Sequence, residues 1–329
     1  MSYERLTSIE ICAGAGGQAL GLEQAGFDHL ALVEIENIAC QTLRLNRPSW
    51  NVINQDVKYF SADNYKGVDL LAGGVPCPPF SIAGKQLGSL DERDLFPEAM
   101  RIVKECNPKA VMIENVRGLL DNKFDTYRLE IINCLESLGY FCDWKLINAS
   151  DYGVSQLRPR AILVALKKKY FPFFKWPSKS TVPPKTIGDL LFDEMSSLGW
   201  ENAQKWRQRA NNIAPTIVGG SKKHGGADLG PTRAKQSWAI LGVDGKGLAD
   251  KPPTNGFQSM PRLTVKMAAL VQGFPKEWVF AGKKTPAYRQ VGNAFPPPVA
   301  KAVGGAIKNA ILEYDKKSRE RKRLKSQIA

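Results

Sequence analysis

The feature that most constrains the fold lies at the start of the chain. Leu6-Thr7-Ser8-Ile9-Glu10-Ile11 reads as a strand, and Cys12-Ala13-Gly14-Ala15-Gly16-Gly17 follows it directly. Leu20, Leu22 and Ala25 then recur at helical spacing. Strand, glycine turn and helix in immediate succession open a Rossmann-like unit, where glycines let a nucleotide approach the backbone at a helix N-terminus. Such turns also join strands to helices with no ligand, so the turn alone leaves both readings open. The next strand, Leu30 to Val33, ends in Glu34. An acidic residue there is the usual partner of ribose hydroxyls, and otherwise a surface charge at a loop start. Val52-Ile53-Asn54-Gln55-Asp56 repeats the arrangement, with Asp56 able to accept from an exocyclic amine.

A fourth strand, Val68 to Ala72, runs into Gly73-Gly74-Val75-Pro76-Cys77-Pro78-Pro79-Phe80-Ser81. The prolines fix φ and remove backbone donors, which places Cys77 on a stiff, non-helical turn. Ligands of open α/β sheets bind just beyond the carboxyl ends of the strands, so the thiol would face a cleft. A buried core cysteine is the other reading. The fifth strand, Pro108 to Ile113, ends in Glu114-Asn115-Val116. Glu114 would be partly desolvated and suited to giving or sharing a proton, or else a capping or ion-paired residue. A helix is expected over roughly Thr126 to Leu138, then strands over Phe141 to Ile147 and Ala161 to Leu166. Arg158 and Arg160 enter that last strand two residues apart, which puts both on one face. They suit a phosphate and a base carbonyl, or an ordinary ion pair.

Beyond Tyr170 the βα alternation stops and Pro, Gly, Lys and polar residues dominate. We therefore divide the chain into a catalytic and cofactor-binding domain (1–170), a smaller irregular domain (171–261), a hinge or return segment (262–290), and a C-terminal helix with a basic tail (291–329). The helix is expected from Val299 to about Lys316, with the tail beyond it as a solvated end. The irregular domain carries Lys222, Lys223, Arg233 and Lys235 with Trp206 and Trp238, a mixture suited to phosphates and bases, or a merely solvated insertion. The net charge of +14 over 329 residues favours a polyanionic partner, with nucleic acid leading. Six cysteines without a C-x-x-C pair and only two histidines argue against disulfides and zinc, so no metal site is expected. No apolar run suits a membrane span and no signal-peptide pattern opens the chain, so a cytoplasmic location is expected.

Taken in order, these motifs resemble those of the cytosine-5 DNA methyltransferases of bacterial restriction-modification. Ile11 to Gly17 is similar to the family's first motif, Pro76-Cys77 with Phe80-Ser81 to its nucleophile motif, and Glu114-Asn115-Val116 to its Glu-Asn-Val. Gln156, Arg158 and Arg160 match Gln-x-Arg-x-Arg. Arg262-Leu263-Thr264 with Gln272-Gly273-Phe274-Pro275 matches the ninth motif, and Gln290-Val291-Gly292-Asn293-Ala294 the tenth. The resemblance implies an α/β, Rossmann-like S-adenosylmethionine-dependent methyltransferase domain with a second, smaller, irregular target-recognition domain. It implies S-adenosyl-L-methionine as cofactor and methylation of carbon 5 of a flipped-out cytosine in double-stranded DNA. Cys77 would be the nucleophile, Glu114 the partner of ring N3, and Arg160 that of the base carbonyl, with Arg158 near the thiol or phosphate. Cys12, Gly14, Gly16, Gly17, Glu34, Ile35, Asp56, Pro76, Leu95, Asn293 and Ala294 would surround the cofactor. Ser81, Gln156, Thr216, Lys222, Lys223 and Arg233 would meet DNA. A monomer is expected, with a cognate restriction endonuclease as a companion. Pro78, Glu10, Ile35 and Phe295 depart from the family's frequent Gln, Asp, Trp and Val. A tRNA methyltransferase of the same fold and an inactive nucleic-acid-binding relative are the rival readings.

Overall fold

The computed structural model describes residues 5–76, 94–219 and 226–328. Among these, strands β1 (Leu6–Ile11), β2 (Phe27–Glu34), β3 (Val52–Asn54), β4 (Leu70–Gly73), β5 (Ala110–Val116), β6 (Tyr140–Asn148) and β7 (Pro159–Lys167) form one sheet, ordered β3-β2-β1-β4-β5-β7-β6. The first five are parallel, and β7 runs antiparallel to both β5 and β6. Strand order reverses between β1 and β4, which opens a crevice at the carboxyl ends of the central strands.

Strands β4, β5 and β7 are apolar on both faces, as a sheet covered on both sides requires. Leu71, Val111, Ile113, Leu163 and Ala165 pack with helices α3 (Phe96–Cys106) and α4 (Asp125–Ser137). Their alternates Leu70, Ala72, Ala110, Met112, Ile162, Val164 and Leu166 pack with α10 (Pro297–Ile328). α1 (Gly17–Ala25) lies beside α10, and α2 (Asn37–Asn46) links β2 to β3. The C-terminal helix is thus longer than expected and continues through the basic tail.

A second core gathers Leu191, Trp206, Leu229 and Trp238 from the region where the sequence showed no regular pattern. Three short helices build it: α5 (Ile187–Ser196), α6 (Ala203–Arg209) and α7 (Thr232–Ile240). Thr186 caps α5, its hydroxyl accepting from Asp189 N at 3.1 Å. The same core takes Leu263, Met267, Tyr288 and Val291 from around α8 (Val265–Gln272) and α9 (Lys284–Asn293). Tyr170, Phe171, Phe173, Phe174 and Trp176, by contrast, pack with α10 and the sheet. Among the described residues no helix is long and apolar enough to cross a membrane.

Candidate cofactor and catalytic site

The carboxyl ends of β1, β2, β3, β4 and β5 converge on one cavity of about 730 Å³, within the usual range for small-molecule sites. Its wall includes Cys12, Gly14, Gly17, Glu34, Ile35, Asp56, Pro76, Leu95, Asn293 and Ala294, together with Glu114. Gly16 is not on that wall. It turns the chain into α1 at φ 85°, and a Cβ there would lie 2.6 Å from Leu43. Gly17 permits a close approach of the chain after α9, since its Cβ would meet Phe295 O at 2.2 Å.

Glu34 closes the tip of β2. Its two carboxylate oxygens accept from Gly14 N and Glu36 N, each at 2.7 Å, and burial pushes its pKa up. Asp56 accepts from Lys58 N at 3.0 Å. Ile35 is 59% exposed, an apolar side chain on the wall with a face open to a flat ligand. On the side of the cavity that α9 supplies, Asn293 was expected and Pro286, Arg289 and Gln290 were missed, although the four follow the i, i+3, i+4, i+7 spacing of one helical face. That spacing was a readable signal, masked by the Pro and Gly around it.

Glu114 lies at the end of β5, and its Oε1 is 2.8 Å from Arg160 Nε, both side chains being 13% exposed. Gly74 leaves room for this carboxylate, for a Cβ there would sit 3.3 Å from Glu114 Oε2. Asn115, next along β5, donates from Nδ2 to Val75 O at 2.8 Å. Leu95 N donates to Pro76 O at 3.2 Å. Pro76 and Leu95 are therefore tied together on the cavity wall, and Asn115 holds the residue before Pro76. Cys77 and Ser81 themselves lie outside the described residues, as do Lys222 and Lys223. Among the described cysteines, burial raises the thiols of Cys12 and Cys106 to about 12 and those of Cys40 and Cys142 to about 11. Such thiols are poor nucleophiles at neutral pH.

Two expected ligand contacts are corrected. Gln156 is fully buried, so it has no surface to offer DNA. Its Oε1 accepts from Ile217 N at 2.7 Å and its Nε2 donates to Gln272 Oε1 at 2.6 Å. Arg158 is 1% exposed and donates to the carbonyls of Ile217 (2.7 Å), Gly292 (2.8 Å) and Ala294 (3.0 Å). Burial, then the neighbouring Arg160 charge, lowers its pKa. Gln156 ties the segment around Ile217 to the end of α8, and Arg158 ties it to the end of α9. Thr216 donates to Leu157 O in the same joint, while Arg233 is exposed on α7.

The chain matches the sequence profile described as C-5 cytosine-specific DNA methylase over residues 6–309. It belongs to that family. The methylase is 60% identical over 310 residues to the Type II methyltransferase M.NgoMIV of Neisseria gonorrhoeae, covering 93% of this chain and 98% of that one. It is 55% identical to M.NaeI of Lentzea aerocolonigenes over 97% of this chain and 78% of the relative. A solved Escherichia coli prophage-encoded modification methyltransferase superposes with a TM-score of 0.66 at 24% identity, over 93% of this chain and 99% of that one. DNMT2 of Spodoptera frugiperda does so at 0.63 and 17%, over 93% and 99%. These two likenesses concern the fold.

The methylase is an enzyme that methylates carbon 5 of cytosine in DNA, and its family uses S-adenosyl-L-methionine. The wall residues fit that cofactor. Among the described residues three buried polar atoms on the wall have no partner: Glu10 Oε2, Gln18 Nε2 and Arg289 Nε. One acceptor and two donors match a ligand end that carries both an ammonium and a carboxylate. Glu10, Glu34, Glu36, Asp56 and Glu114 outnumber Lys58 and Arg289, which suits a cationic sulfonium compound.

Proposed function

We propose that the enzyme methylates cytosine within a defined DNA sequence through a covalent adduct of Cys77, as the modification half of a restriction-modification pair. The observation that carries this reading is Glu114, on the wall of the cofactor cavity and paired with Arg160, sharing that wall with the tied residues Pro76 and Leu95 on either side of the stretch containing Cys77. Carbon 5 of cytosine is a weak nucleophile. A thiolate at Cys77 adds to carbon 6, forming the S–C6 bond and moving the ring electrons toward carbon 5. Glu114 shares a proton with ring N3 as that charge develops, and Arg160 holds both this carboxylate and the base carbonyl. When bound, the cofactor supplies the electrophilic methyl group that carbon 5 takes. Loss of the carbon 5 proton then returns electrons to the ring, and the S–C6 bond breaks. The reacting atoms are inaccessible in a stacked duplex, so the cytosine is flipped out.

Glu34 is assigned to the ribose hydroxyls, Ile35 to the adenine face and Asp56 to its amine, with Asn293 and Ala294 along the opposite wall. The region 171–261 is assigned to target recognition and residues 262–290 to the return, with Thr216, Arg233 and the undescribed Ser81, Lys222 and Lys223 on the DNA side. The protein acts as a monomer in the cytoplasm, with a cognate endonuclease cutting the same unmethylated site; the Type II methyltransferase relatives support that pairing. The test is DNA carrying 5-fluorocytosine, in which the proton at carbon 5 is replaced and the adduct cannot resolve. A complex that survives denaturing electrophoresis is expected from the natural protein and none from Cys77→Ser. Absence of the complex with the natural protein, on DNA whose target site a bisulfite map has located, would overturn the covalent route.

A further inference from the structure

The last third of α10 leaves the body of the protein at the end of the sheet opposite the cofactor cavity. The helix starts beside Phe295, on the cavity wall. By Asp315 it has reached Lys109, which precedes β5, and Tyr314 packs on Tyr170 with ring centroids 4.9 Å apart. β7 fixes which end this is: Val116 pairs with Arg160 at the cavity end, and Ala110 with Leu166 at the far end. From Lys316 to Gln327 nearly every residue is exposed, Leu324 at 58% included. This stretch carries Lys316, Lys317, Arg319, Arg321, Lys322, Arg323 and Lys325 against the single acid Glu320, so it holds six of the chain's fourteen net positive charges. Exposed Lys168 and Lys169 adjoin it, with Lys169 Nζ 5.5 Å from the Tyr314 ring.

We propose that this helical extension, with Lys168 and Lys169, binds the phosphates of a second segment of duplex DNA, apart from the segment engaged at the catalytic cavity. At 100° per residue the seven cations fall on all sides of the helix, which suits the diffuse phosphate array of a duplex more than a single anion pocket. An isolated helix of this length is marginal in water, so ordering against a polyanion adds to its stability. The duplex at the cavity is excluded by direction. The sheet separates the two ends by roughly 20 Å at about 3.3 Å per strand residue, and the extension points farther away. Duplex DNA, with a persistence length of about 150 base pairs, does not fold back over that distance without a large bending cost.

The test uses the full chain, a donor-labelled duplex containing cytosine, and an acceptor-labelled duplex of A·T pairs only, which contains no cytosine to react. Energy transfer between the two duplexes is expected with the natural protein. It should fall with added salt, with a log–log slope of about −0.9 per phosphate held. The combined variant Arg319→Gln, Arg321→Gln, Lys322→Gln, Arg323→Gln should lose the transfer by tenfold or more, and a chain stopped after Lys317 should lose it likewise. Both should methylate the single duplex at the natural rate, because no altered residue lines the cavity. No transfer with the natural protein, or equal transfer with both variants, overturns the proposal. An extension that instead serves an acidic protein gives that same overturning result.

Discussion

Two buried polar clusters lie back to back around the end of α9, and they are finished to different degrees. In the joint, Gln156, Arg158 and Gln272 spend their side-chain groups on Ile217, Gly292, Ala294 and one another, with only Arg158 Nε left over. In the cavity, Glu10, Gln18 and Arg289 each keep a buried polar atom with no partner among the described residues. An unmade hydrogen bond in a buried site costs about 1–3 kcal/mol, so the joint is built to hold the chain and the cavity to be completed by a ligand. The two arginines of one motif divide along this line. Arg160 braces Glu114 at the cavity, and Arg158 clamps the backbone behind it.

The contrast breaks most visibly at Glu114. Glu114→Gln keeps the shape and still accepts from Arg160, but removes the shared proton. We expect kcat to fall by about 10²–10⁴-fold, with the unfolding midpoint changed far less than by loss of the joint. A variant that keeps natural kcat would remove Glu114 from the reaction. Arg158→Met tests the other side. It fills similar space but takes the arginine donor from the buried carbonyls of Ile217 and Gly292, Ala294 O keeping Gln272 Nε2, and we expect a loss of about 3–5 kcal/mol in urea unfolding. Gly292 sharpens why: a Cβ there would lie 2.3 Å from Gly219 N, so the backbones at this joint touch and cannot re-form the lost contacts by shifting inward. An unchanged midpoint for Arg158→Met would show that the carbonyls find other partners.

Much of the cavity was legible in the sequence, and the joint was not. Glu34, Asp56, Pro76 and Glu114 stand where an apolar strand ends, and a parallel sheet brings such ends together whatever the loops do. Ten of the eleven expected cofactor residues line the cavity; Gly16 alone does not. Spacing on a strand tells which face Arg158 and Arg160 share, but not how deep that face lies. The depth of Arg158 is set by Ile217 and Gly292, which are 59 and 134 residues away. The helices α5, α6 and α7 were missed because each spans ten residues or fewer, between Gly and Pro signals that read as loop. The antiparallel insertion of β7 between β5 and β6 likewise left no local mark.

The smallest effect expected is a gain, and it comes from the unfinished side. Glu10 is buried, with Oε2 unpartnered, and desolvation followed by repulsion from Glu34 raises its pKa well above the ordinary 4.5. A raised carboxyl pKa means the folded state holds its proton where the unfolded chain has already lost it. The stability from this group is therefore fully present below pH 4.5 and is lost as pH rises through the folded value. Glu10→Gln has no such titration. Without cofactor, its unfolding midpoint should match the natural protein at low pH and exceed it increasingly above pH 4.5, by an amount equivalent to about 1–3 kcal/mol once the natural carboxyl ionises. Added S-adenosylmethionine should shrink that advantage, because a cation in the cavity stabilises the natural carboxylate and not the amide. A gain independent of pH would trace the effect to packing, and a gain that the cofactor leaves untouched would place Glu10 outside its reach.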